Sequence, residues 1–412
     1  MKVLFVADVN LGDPASGSER VLYHQVWGLA KKDMDVYAIT RQQGPFLPYR
    51  RNVDGLFEEA CYSARTDNIA RFFWSLLREP SKLYRLFVRD GPFQAAVCHH
   101  PFTYFSLLLM KKLRKVPSVH VFHSPTHQEY FLIHENRSLS RNFIPIKTRW
   151  LIERYCLKQS TRIMVLSEYM RQKIVDIYDL PNDTIVVNPG GVDLAYFQPP
   201  QDREAMKRRL GFPDGKIHLL TIRNLEPRMG LDNLLKSIHI LKKKHLGIHL
   251  VMGGEGTERR NLENLVGQYG MSEEVTMTGF IPSETMPDFY GAADFFVLPT
   301  RKLEGFGLVT VESMACGTPV LGTPVGGTKE ILSNFDSQFL FKDCSPEAIS
   351  EGIQVAVSEY LTKKRRYDEL RLRCREFVAK EYSWERHVKQ LASMLGDLVA
   401  LDKCADLSNR AF

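Results

Sequence analysis

Short runs of apolar and β-branched residues alternate with longer helical patterns along most of the chain. The apolar residues within each run are consecutive, which is typical of strands buried on both faces of a sheet. Because helical patterns separate them, the runs predict parallel sheets covered by helices on both sides. The ten runs are residues 3–7, 36–40, 95–98, 118–122, 163–166, 217–222, 249–252, 275–278, 295–298 and 319–323.

The length of 412 residues indicates two or three domains. Because a single twisted sheet of more than ten strands would be unusual, we expect two doubly wound domains. The predicted fold class is α/β, with two doubly wound domains. Proline- and glycine-rich stretches at 188–193 and 198–201 predict the interdomain linker. We expect an N-terminal domain over residues 1–192, joined by a C-terminal helix at 383–405, and a C-terminal domain over residues 193–382.

Composition argues against several classes of protein. No apolar run approaches the ~18–20 residues that a membrane-spanning helix needs, and the apolar stretch at the N-terminus is too short for a signal peptide. The seven cysteines are scattered without a Cys-x-x-Cys pair, which argues against a disulfide framework and a zinc site. These features predict a protein of the reducing cytoplasm.

Positive charge is concentrated in the first half of the chain. Residues 1–190 contain 26 Lys and Arg against 18 Asp and Glu, whereas the remainder contains 29 against 30. This excess predicts an anionic partner for the first half, either an acidic acceptor or the headgroups of a membrane surface. The alternative is an unevenly charged, solvated surface. We do not expect nucleic acid as a partner, because no module with base-reading side chains is present.

The most informative segment begins at Glu304, just after the predicted strand at 295–298. It predicts a glycine-rich loop, a helix that starts near Leu308 and ends at Gly317, and then another strand. Free backbone N–H groups of the loop and the helix N-terminus would form an anion site suited to a diphosphate. Glu304 could accept hydrogen bonds from sugar hydroxyls, and Glu312 could hold a ribose diol. The alternative is that both glutamates are solvated surface charges.

Residues 304–320 resemble the E-x7-E donor motif of the family 4 glycosyltransferases. Further pieces of the chain are similar to the same family and occur in the family's order. They are Gly17-Ser-Glu-Arg20, Val121-Phe-His-Ser-Pro125, Asn188-Pro-Gly-Gly-Val-Asp-Leu194 with Phe197, Arg223-Asn-Leu-Glu-Pro-Arg-Met-Gly230, Gly253-Gly-Glu-Gly256, Gly279-Phe-Ile281 and Ser383-Trp384.

This resemblance implies the GT-B arrangement, in which two Rossmann-like domains face each other across a cleft. It also implies a retaining enzyme that moves a sugar from a nucleotide-sugar donor, UDP- or GDP-linked, to a hydroxyl of a glycan, lipid-linked or small-molecule acceptor. The family needs neither a metal nor another cofactor for this chemistry. The alternative function is a nucleotide-sugar 2-epimerase of the same shape, which needs acid and base carboxylates inside the cleft.

Arg223 and Arg228 match the segment that supplies an arginine and a lysine to the donor's diphosphate in this family. Fixed cations there would stabilise the negative charge that develops on the leaving nucleotide. The chain departs from the common pattern, because Met229 rather than lysine precedes Gly230. Arg228 is the natural substitute, and a solvent-facing charge is its alternative reading. The predicted catalytic set is Glu304, Arg223, Arg228 and His123.

The resemblance also assigns a set of donor-binding residues. Phe280 and Ile281 match the place where the family packs the nucleotide base, although a core position is the alternative for Phe280. Gly17 would belong to a pliable loop before a helix that begins near Glu19, with an ordinary turn as the alternative. The full predicted donor set is Gly17, Gly253, Gly254, Gly256, Phe280, Ile281, Gly305, Phe306, Gly307, Leu308 and Glu312.

His123 follows the predicted strand at 118–122 and matches the histidine that family members hold near the donor sugar. Its ring or backbone is expected to position the sugar. His99 and His100 end a neighbouring strand and would line the acceptor side, with a purely structural role as the alternative for at least one of them. Residues 33–35 have Asp-x-Asp spacing, but they lie between a helix and a strand, where a solvated turn is expected. No metal site is predicted.

Residues 69–89 combine basic residues with large aromatic ones at helical spacing, and Pro80 interrupts the pattern. Such a stretch could lie in a membrane interface. The alternative is a pair of helices whose apolar faces belong to the core. With the basic first half, it predicts a cytoplasmic enzyme that docks on the inner face of the cytoplasmic membrane. The basic residues are Arg71, Arg78, Lys82, Arg85 and Arg89, and the aromatic ones are Phe72, Phe73, Trp74 and Phe87.

Overall fold

The computed structural model describes residues 1–12, 16–42, 49–64, 69–134 and 139–410. They form two compact units. Unit 1 contains Met1–Pro189 and a C-terminal helix that begins at Trp384, whereas unit 2 contains Gly190–Ser383. Unit 2 is therefore inserted between the main part of unit 1 and its last helix.

Each unit is built on one sheet. Within the described residues the strands are β1 (Lys2–Ala7), β2 (Asp35–Gln42), β3 (Tyr49–Val53), β4 (Phe57–Ser63), β5 (Ala95–His99), β6 (Ser118–Phe122), β7 (Arg162–Val165), β8 (Ile185–Val187), β9 (Ile217–Ile222), β10 (Ile248–Gly253), β11 (Val275–Gly279), β12 (Phe295–Leu298) and β13 (Val320–Gly322). Unit 1 has the strand order β3-β4-β2-β1-β5-β6-β7-β8, and unit 2 has the order β11-β10-β9-β12-β13. Neighbouring strands are parallel except for β3 and β4, which form an antiparallel pair at the edge of the first sheet.

Helices connect the parallel strands. In the described part of the chain they are α1 (Gly17–Ala30), α2 (Ile69–Phe87), α3 (Pro101–Leu109), α4 (Thr126–Ile133), α5 (Leu139–Gln159), α6 (Glu168–Tyr178), α7 (Arg203–Arg209), α8 (Leu231–Lys242), α9 (Arg259–Gln268), α10 (Met286–Ala292), α11 (Leu308–Ala315), α12 (Gly326–Phe335), α13 (Pro346–Thr362), α14 (Lys364–Glu381) and α15 (Trp384–Arg410). None of the helices formed by these residues combines the length and apolar character required to cross a bilayer.

The predicted fold class is confirmed, since both units are α/β structures with parallel sheets. All ten predicted strands are present, and their ends lie within two residues of the predicted ones. The sheets are mostly buried: β1, β5, β6, β9, β10 and β12 are buried along their whole length. Burial on both faces explains why consecutive apolar residues predicted these strands correctly.

Strands β3, β4 and β8 are absent from the sequence-based prediction. In the edge hairpin, charged pairs replace the apolar pattern: a guanidinium nitrogen of Arg51 lies 2.7 Å from an Oε atom of Glu59. Glu59 is itself buried and accepts a hydrogen bond of 2.9 Å from the hydroxyl of Thr40 on β2. Strand β8 has only three residues, so it is too short to show a periodic pattern.

Helix α2 is one continuous helix that contains Pro80, so the pair of helices in the alternative interpretation is wrong, whereas the apolar face that this alternative places in the core is confirmed. Proline removes a hydrogen bond within a helix and usually kinks or ends it. Here the helix continues because residues on both sides of the proline, Leu76 and Phe87, are buried in the same core cluster of unit 1. Packing of this face therefore outweighs the local cost of Pro80.

Helix α15 packs against α1 within unit 1. The indole of Trp384 stacks on the ring of His24, with 4.3 Å between ring centroids. Gly28 faces Val388 so closely that a Cβ atom there would lie 2.5 Å from a methyl carbon of the valine. The last helix thus completes the core of the first unit, although all of unit 2 precedes it in the chain.

Both sheets reverse their strand order at one point, where doubly wound folds bind ligands beyond the carboxyl ends of the strands. In unit 1 this point lies between β1 and β5, because β2 follows on one side of β1 and β5 on the other. In unit 2 it lies between β9 and β12. The residues that follow these four strands therefore define the candidate sites.

Candidate active site

Glu304 lies in the loop between β12 and α11, at the reversal point of unit 2. Only 7% of the residue is exposed, and its Oε2 atom accepts a hydrogen bond of 2.7 Å from the guanidinium of Arg223, which follows β9. The same oxygen accepts a second hydrogen bond, of 3.1 Å, from the hydroxyl of Thr300. Glu304 is therefore not a solvated surface charge, and it joins the two strands on either side of the reversal point.

Arg228 lies in a single turn of 3-10 helix, Pro227–Met229, that precedes α8. Its guanidinium donates a hydrogen bond of 2.9 Å to the backbone carbonyl of Leu303, next to Glu304. In return, the backbone N–H of Arg301 donates to the carbonyl of Arg228 at 2.9 Å. The structure thus brings three predicted residues, Glu304, Arg223 and Arg228, into two adjoining loops.

Met229 occupies the position where the common family pattern has a lysine. Its side chain is buried, and its sulfur lies 2.9 Å from a guanidinium nitrogen of Arg223. A thioether is a weak acceptor and carries no charge. Met229 consequently helps to orient Arg223 but cannot replace the missing cation.

The glycines that follow β10 pack against the loop that follows β9. A Cβ atom on Gly254, whose φ is +128°, would lie 1.8 Å from the carbonyl oxygen of Arg223. A Cβ atom on Gly256 would lie 2.4 Å from the carbonyl oxygen of Leu225. Contacts within the protein thus suffice to explain these glycines, and their approach to a nucleotide stays a prediction.

Phe280 directly follows β11 and is 63% exposed. The core position considered as its alternative is therefore wrong. Ile281 is buried instead, and its Cδ1 atom would lie 2.3 Å from a Cβ atom on Gly253. An exposed aromatic ring beside a fixed aliphatic residue leaves the predicted stacking of a nucleotide base on Phe280 open to test.

The loop before α11 is held by its two apolar side chains. Phe306 and Leu308 are both buried, and the ring of Phe306 makes an edge contact with Tyr382 at 5.7 Å between centroids. Helix α11 begins at Leu308, as the sequence predicts, with Gly307 as its N-cap at φ +90°. Side chains of this loop therefore fix its shape, and contact of its backbone with a diphosphate, at residues such as Gly305 and Gly307, stays a prediction.

Glu312, in the second turn of α11, is buried and accepts a hydrogen bond of 3.1 Å from the hydroxyl of Tyr290. It is thus not a solvated surface charge. Tyr290 lies on α10 and is itself buried. The contact fixes one carboxylate oxygen of Glu312, and a ribose diol stays a predicted partner of the carboxylate.

Gly326 and Gly327 are part of the site, although the sequence-based prediction omits them. A Cβ atom on Gly326, whose φ is +59°, would lie 2.0 Å from the carbonyl oxygen of Glu304. The N–H of Gly327 donates to that same oxygen at 3.0 Å. The signal available in the sequence was a Gly-Gly-Thr segment just after the predicted strand at 319–323.

In unit 1, the predicted residues His99, His100 and His123 lie together at the ends of β5 and β6. The Nδ1 atom of His99 lies 3.0 Å from the Nε2 atom of His123. The ring of His100 stacks on that of His123 with 5.1 Å between centroids. His100 has a φ of +65°, which turns the chain sharply into Pro101 at the start of α3.

The three histidines are held in their neutral form. Burial lowers the pKa of His99 and of His123 well below the usual range, and the mutual proximity of the rings lowers both further. Burial also lowers the pKa of His100. Neutral imidazoles can accept hydrogen bonds, so this cluster suits hydroxyl groups better than anions.

Asp8, which follows β1, is a further residue of the unit 1 site that the sequence-based prediction omits. Its carboxylate accepts hydrogen bonds from the backbone N–H groups of Phe102 at 2.8 Å and Thr103 at 2.9 Å. Asp8 thereby satisfies the N-terminus of α3 and fixes the turn at His100. A single aspartate after a strand gives no signal for such a distant contact.

Gly17 is the first residue of α1, so the prediction that places it in a loop before a helix near Glu19 is wrong by two residues. A capping box starts the helix earlier: the N–H of Glu19 donates to the Ser16 hydroxyl at 3.3 Å, and the N–H of Ser16 donates to the Glu19 carboxylate at 2.7 Å. The backbone N–H of Gly17 therefore belongs to a helix N-terminus.

No group of three or more His, Cys, Asp or Glu side chains with the spacing of a metal site occurs among the described residues. Asp33 is exposed in the turn between α1 and β2, and Asp35 is the exposed first residue of β2. All seven cysteines are free thiols. Fixed positive charge in the unit 2 site comes from Arg223 and Arg228.

Two family models match the chain, one after the other. Residues 15–196 match the model of Glycosyltransferase Family 4, and residues 202–381 match the model of Glycosyl transferases group 1. The chain is a glycosyltransferase of the GT-B, family 4 type, as the sequence motifs predict. Retention of configuration and the role of the E-x7-E motif stay predictions.

Curated relatives are also glycosyltransferases. An uncharacterized glycosyltransferase of Methanocaldococcus jannaschii is 24% identical over 377 residues, which cover 89% of this chain and 90% of the relative. A GDP-mannose-dependent alpha-(1-6)-phosphatidylinositol monomannoside mannosyltransferase of Mycolicibacterium smegmatis is 27% identical over 57% of this chain and 61% of the relative. A D-inositol 3-phosphate glycosyltransferase of Geodermatophilus obscurus is 30% identical over 64% of this chain and 58% of the relative. The matches to these two enzymes span about three fifths of their length.

Solved structures of GT-B glycosyltransferases share the fold. Sucrose-phosphate synthase from Thermosynechococcus elongatus superposes with a TM-score of 0.81 at 21% identity, over 97% of this chain and 100% of that one. HepE of Anabaena, solved in complex with UDP, superposes with a TM-score of 0.74 at 14% identity, over 96% of this chain and 100% of that one. At these identities the likeness concerns the fold alone.

Proposed function

We propose that this protein is a retaining, metal-independent glycosyltransferase of the hexosyltransferase type. It moves a sugar from a UDP- or GDP-linked donor to a hydroxyl of a glycan, lipid-linked or small-molecule acceptor. The observation that carries the proposal is the buried pair of Glu304 and Arg223 at the reversal point of unit 2, beside the N-terminus of α11. Relatives point to both bases, since HepE was solved with UDP-glucose and the mycobacterial relative is described as GDP-mannose-dependent.

The donor diphosphate is proposed to bind to unit 2, which corresponds to the predicted donor domain at residues 193–382. Arg223 and Arg228 face its oxygens, and the two guanidinium groups stabilise the charge that develops on the leaving nucleotide, by about 3 kcal/mol each. Their fixed charge takes the place that a divalent metal occupies in other transferases. Glu304 binds hydroxyls of the sugar, Glu312 binds the ribose, and Phe280 stacks on the base.

The acceptor is proposed to bind to unit 1, which corresponds to the predicted domain at 1–192. His123 positions the transferred sugar through a hydrogen bond, because its neutral ring can accept from a hydroxyl. His99 and His100 support it from the neighbouring strand end. The excess of basic residues in this part of the chain favours an acceptor that carries negative charge.

A basic face of α2 supports a lipid-linked acceptor on an anionic membrane. Arg78, Lys82 and Arg85 are exposed at helical spacing, and Trp74 on the same face is 65% exposed. Phe87 is buried in the core, so the prediction that it belongs to the interface is wrong. The side chains of Phe72 and Phe73 lie outside the described residues. We propose that this face holds the enzyme at the inner surface of the cytoplasmic membrane.

A thermal-shift panel of UDP, GDP, UDP-glucose and GDP-mannose tests the donor class. A ligand present at a hundred times its dissociation constant stabilises the folded state by about 2.7 kcal/mol, which shifts the melting temperature visibly. We expect one nucleotide and the corresponding nucleotide-sugar to raise the melting temperature of the protein, both with and without EDTA. No shift with any of the four would contradict the proposal.

Stereochemistry separates this function from the 2-epimerase considered above. The anomeric configuration of the product, read by NMR with the donor selected in the panel and candidate acceptors, should equal that of the donor. Inversion would contradict retention. Epimerisation of the donor in the absence of any acceptor would establish the isomerase instead.

A further inference from the structure

A chain of hydrogen bonds runs through the interior of unit 1 from His123 to the last residue before unit 2. His123 Nε2 lies 3.0 Å from His99 Nδ1, and His99 Nε2 lies 3.0 Å from the amide oxygen of Gln25 on α1. The amide nitrogen of Gln25 lies 2.9 Å from Nε2 of His387 on α15. The Nδ1 atom of His387 lies 2.8 Å from the carbonyl oxygen of Pro189.

All hydrogen bonds in this series donate in one fixed order, toward Pro189, because the carbonyl of Pro189 can accept a hydrogen bond but cannot donate one. Nδ1 of His387 must therefore carry a proton. Burial lowers the pKa of His387 to about 4, so at neutral pH its other nitrogen is a bare acceptor. Gln25 must then turn its amide N–H group toward His387 and its amide oxygen toward His99.

The same reasoning fixes the donors and acceptors from Gln25 to His123, at the other end of the series of hydrogen bonds. The amide oxygen of Gln25 is an acceptor, so Nε2 of His99 must donate to it. Since burial keeps His99 neutral, its Nδ1 is an acceptor, and the proton in the last link must come from Nε2 of His123. The Nδ1 atom of His123 makes no hydrogen bond to any residue in the described part of the chain, and the residue is partly exposed.

We infer that Gln25 and His387 are positioning residues whose hydrogen bonds hold His123 in the tautomer protonated on Nε2. The lone pair of His123 Nδ1 is thereby kept available for a hydroxyl of the transferred sugar. This second step rests on the proposed function, whereas the tautomer itself does not. The buried polar chain thus acts on the site through orientation, without touching the substrate.

Two substitutions at Gln25 separate this role from packing. Gln25→Met keeps the length of the side chain but removes both polar groups, so His99 is free to reverse its protonation and drive His123 to the Nδ1 tautomer. Gln25→Glu preserves the pattern, since a protonated carboxyl accepts from His99 and donates to His387 as the amide does. A role in packing alone predicts the opposite ranking, because a buried carboxyl costs more than a thioether.

Nitrogen NMR of the full-length protein labelled with [15N]histidine reads the tautomer directly. The signals of His123 are assigned by their loss in His123→Asn. We expect a protonated Nε2 and an unprotonated Nδ1 in the parent and in Gln25→Glu, and a shift toward the other tautomer in Gln25→Met. Should Gln25→Met fail to fold, His387→Phe provides a second test, because it keeps a ring beside Trp384 but neither nitrogen.

Calorimetry with UDP, UDP-glucose, GDP and GDP-mannose tests the functional step. Gln25→Met should weaken binding of the nucleotide-sugar by about tenfold, the effect of one lost hydrogen bond, and leave nucleotide binding unchanged. The control is Tyr104→Phe, which loses a buried hydrogen bond of 2.9 Å to Ser118 in the same unit. Tyr104 takes no part in the series of hydrogen bonds from His123 to Pro189. Tyr104→Phe should leave both affinities unchanged.

An unchanged His123 tautomer in Gln25→Met, or in His387→Phe when that variant replaces it, would overturn the inference. Equal loss of sugar binding in Gln25→Met and Gln25→Glu would do the same. If the parent binds none of the four ligands, the proposed function fails, but the NMR result still decides the tautomer.

Discussion

Met229 sets the electrostatics of the unit 2 site apart from the common pattern of its family. Where that pattern has a lysine, this chain has a buried thioether 2.9 Å from the guanidinium of Arg223. The same guanidinium nitrogen of Arg223 also donates a hydrogen bond to Glu304, so one end of the guanidinium is held by both residues. The second cation has to come from Arg228, whose guanidinium already contacts the loop of Glu304.

Replacing Arg228 should affect turnover more than affinity. Arg228→Ala is expected to lower kcat about 100-fold, because its charge matters most when negative charge develops on the leaving nucleotide. The dissociation constant of the free nucleotide should change much less. Steady-state kinetics and calorimetry measure the two effects, with Arg260→Ala on the exposed side of α9 as control. Full activity of Arg228→Ala would show that this arginine does not replace the missing lysine.

Removing the charge of Glu304 should separate nucleotide binding from transfer. Glu304→Gln keeps the shape of the side chain but no longer neutralises Arg223, so we expect nucleotide to bind about as tightly or more tightly. Transfer should fall about tenfold or more, because an amide oxygen binds sugar hydroxyls less strongly than a carboxylate. Glu263→Gln, at an exposed ion pair on α9, is the control. Equal losses in affinity and in transfer would contradict this role.

Among the elements of unit 2, α7 is attached to the sheet by a buried carboxylate. Asp294, just before β12, accepts a hydrogen bond of 2.7 Å from the backbone N–H of His218 and pairs with Arg203 and Lys207 on α7. Burial alone would raise the pKa of Asp294, but the hydrogen bond with His218 and the two cations outweigh it and hold the pKa below the usual range.

The stability of the protein should therefore fall in acid. A depressed pKa stabilises the folded state above the unfolded value of about 4 and loses that contribution as the pH falls further. Asp294→Asn should lower the free energy of unfolding by about 3 kcal/mol at pH 7 and flatten its dependence on pH below 4. Urea titrations at several pH values measure both. Asp288→Asn, at an exposed pair with Arg209, should change stability by less than about 1 kcal/mol.

Helix α2 carries the proposed membrane contact. The parent should sediment with anionic vesicles but not with neutral ones at low salt, and it should be released at 1 M salt, where the Debye length is about 3 Å. Replacing Arg78, Lys82 and Arg85 by alanine should weaken binding more than 100-fold, at ~1 kcal/mol per residue. The same change at Lys111, Lys112 and Lys115, elsewhere in unit 1, is the control. Equal binding to anionic and neutral vesicles would contradict the proposed membrane contact and favour a soluble acceptor instead.

At the scale of the whole molecule, patterns within one segment were predictable and contacts between distant segments were not. Consecutive apolar residues predicted the buried strands, and closely spaced glycines predicted the loop of Glu304. Strand β3 shows no such pattern, because most of its residues are polar and exposed, and ion pairs rather than apolar contacts join their side chains to β4. The contact of Gln25 with His387 joins residues 362 positions apart, so no local pattern could reveal it.

Nucleotide binding should slow hydrogen exchange in unit 2. Hydrogen exchange of the full-length protein, with the nucleotide chosen from the thermal-shift panel, should slow at residues 223–230, 253–256 and 304–312. These segments follow β9, β10 and β12, at the carboxyl edge of the second sheet. Protection confined to unit 1 would contradict the assignment of the donor to unit 2.

The insertion of unit 2 before α15 has a consequence for biosynthesis. During translation, α1 emerges early, but the helix that covers Gly28 and His24 leaves the ribosome only after all of unit 2 has been made. At 5–20 residues per second this delay is roughly 10–40 s. The nascent first half thus waits with an uncovered apolar surface, and the second half can complete its core first.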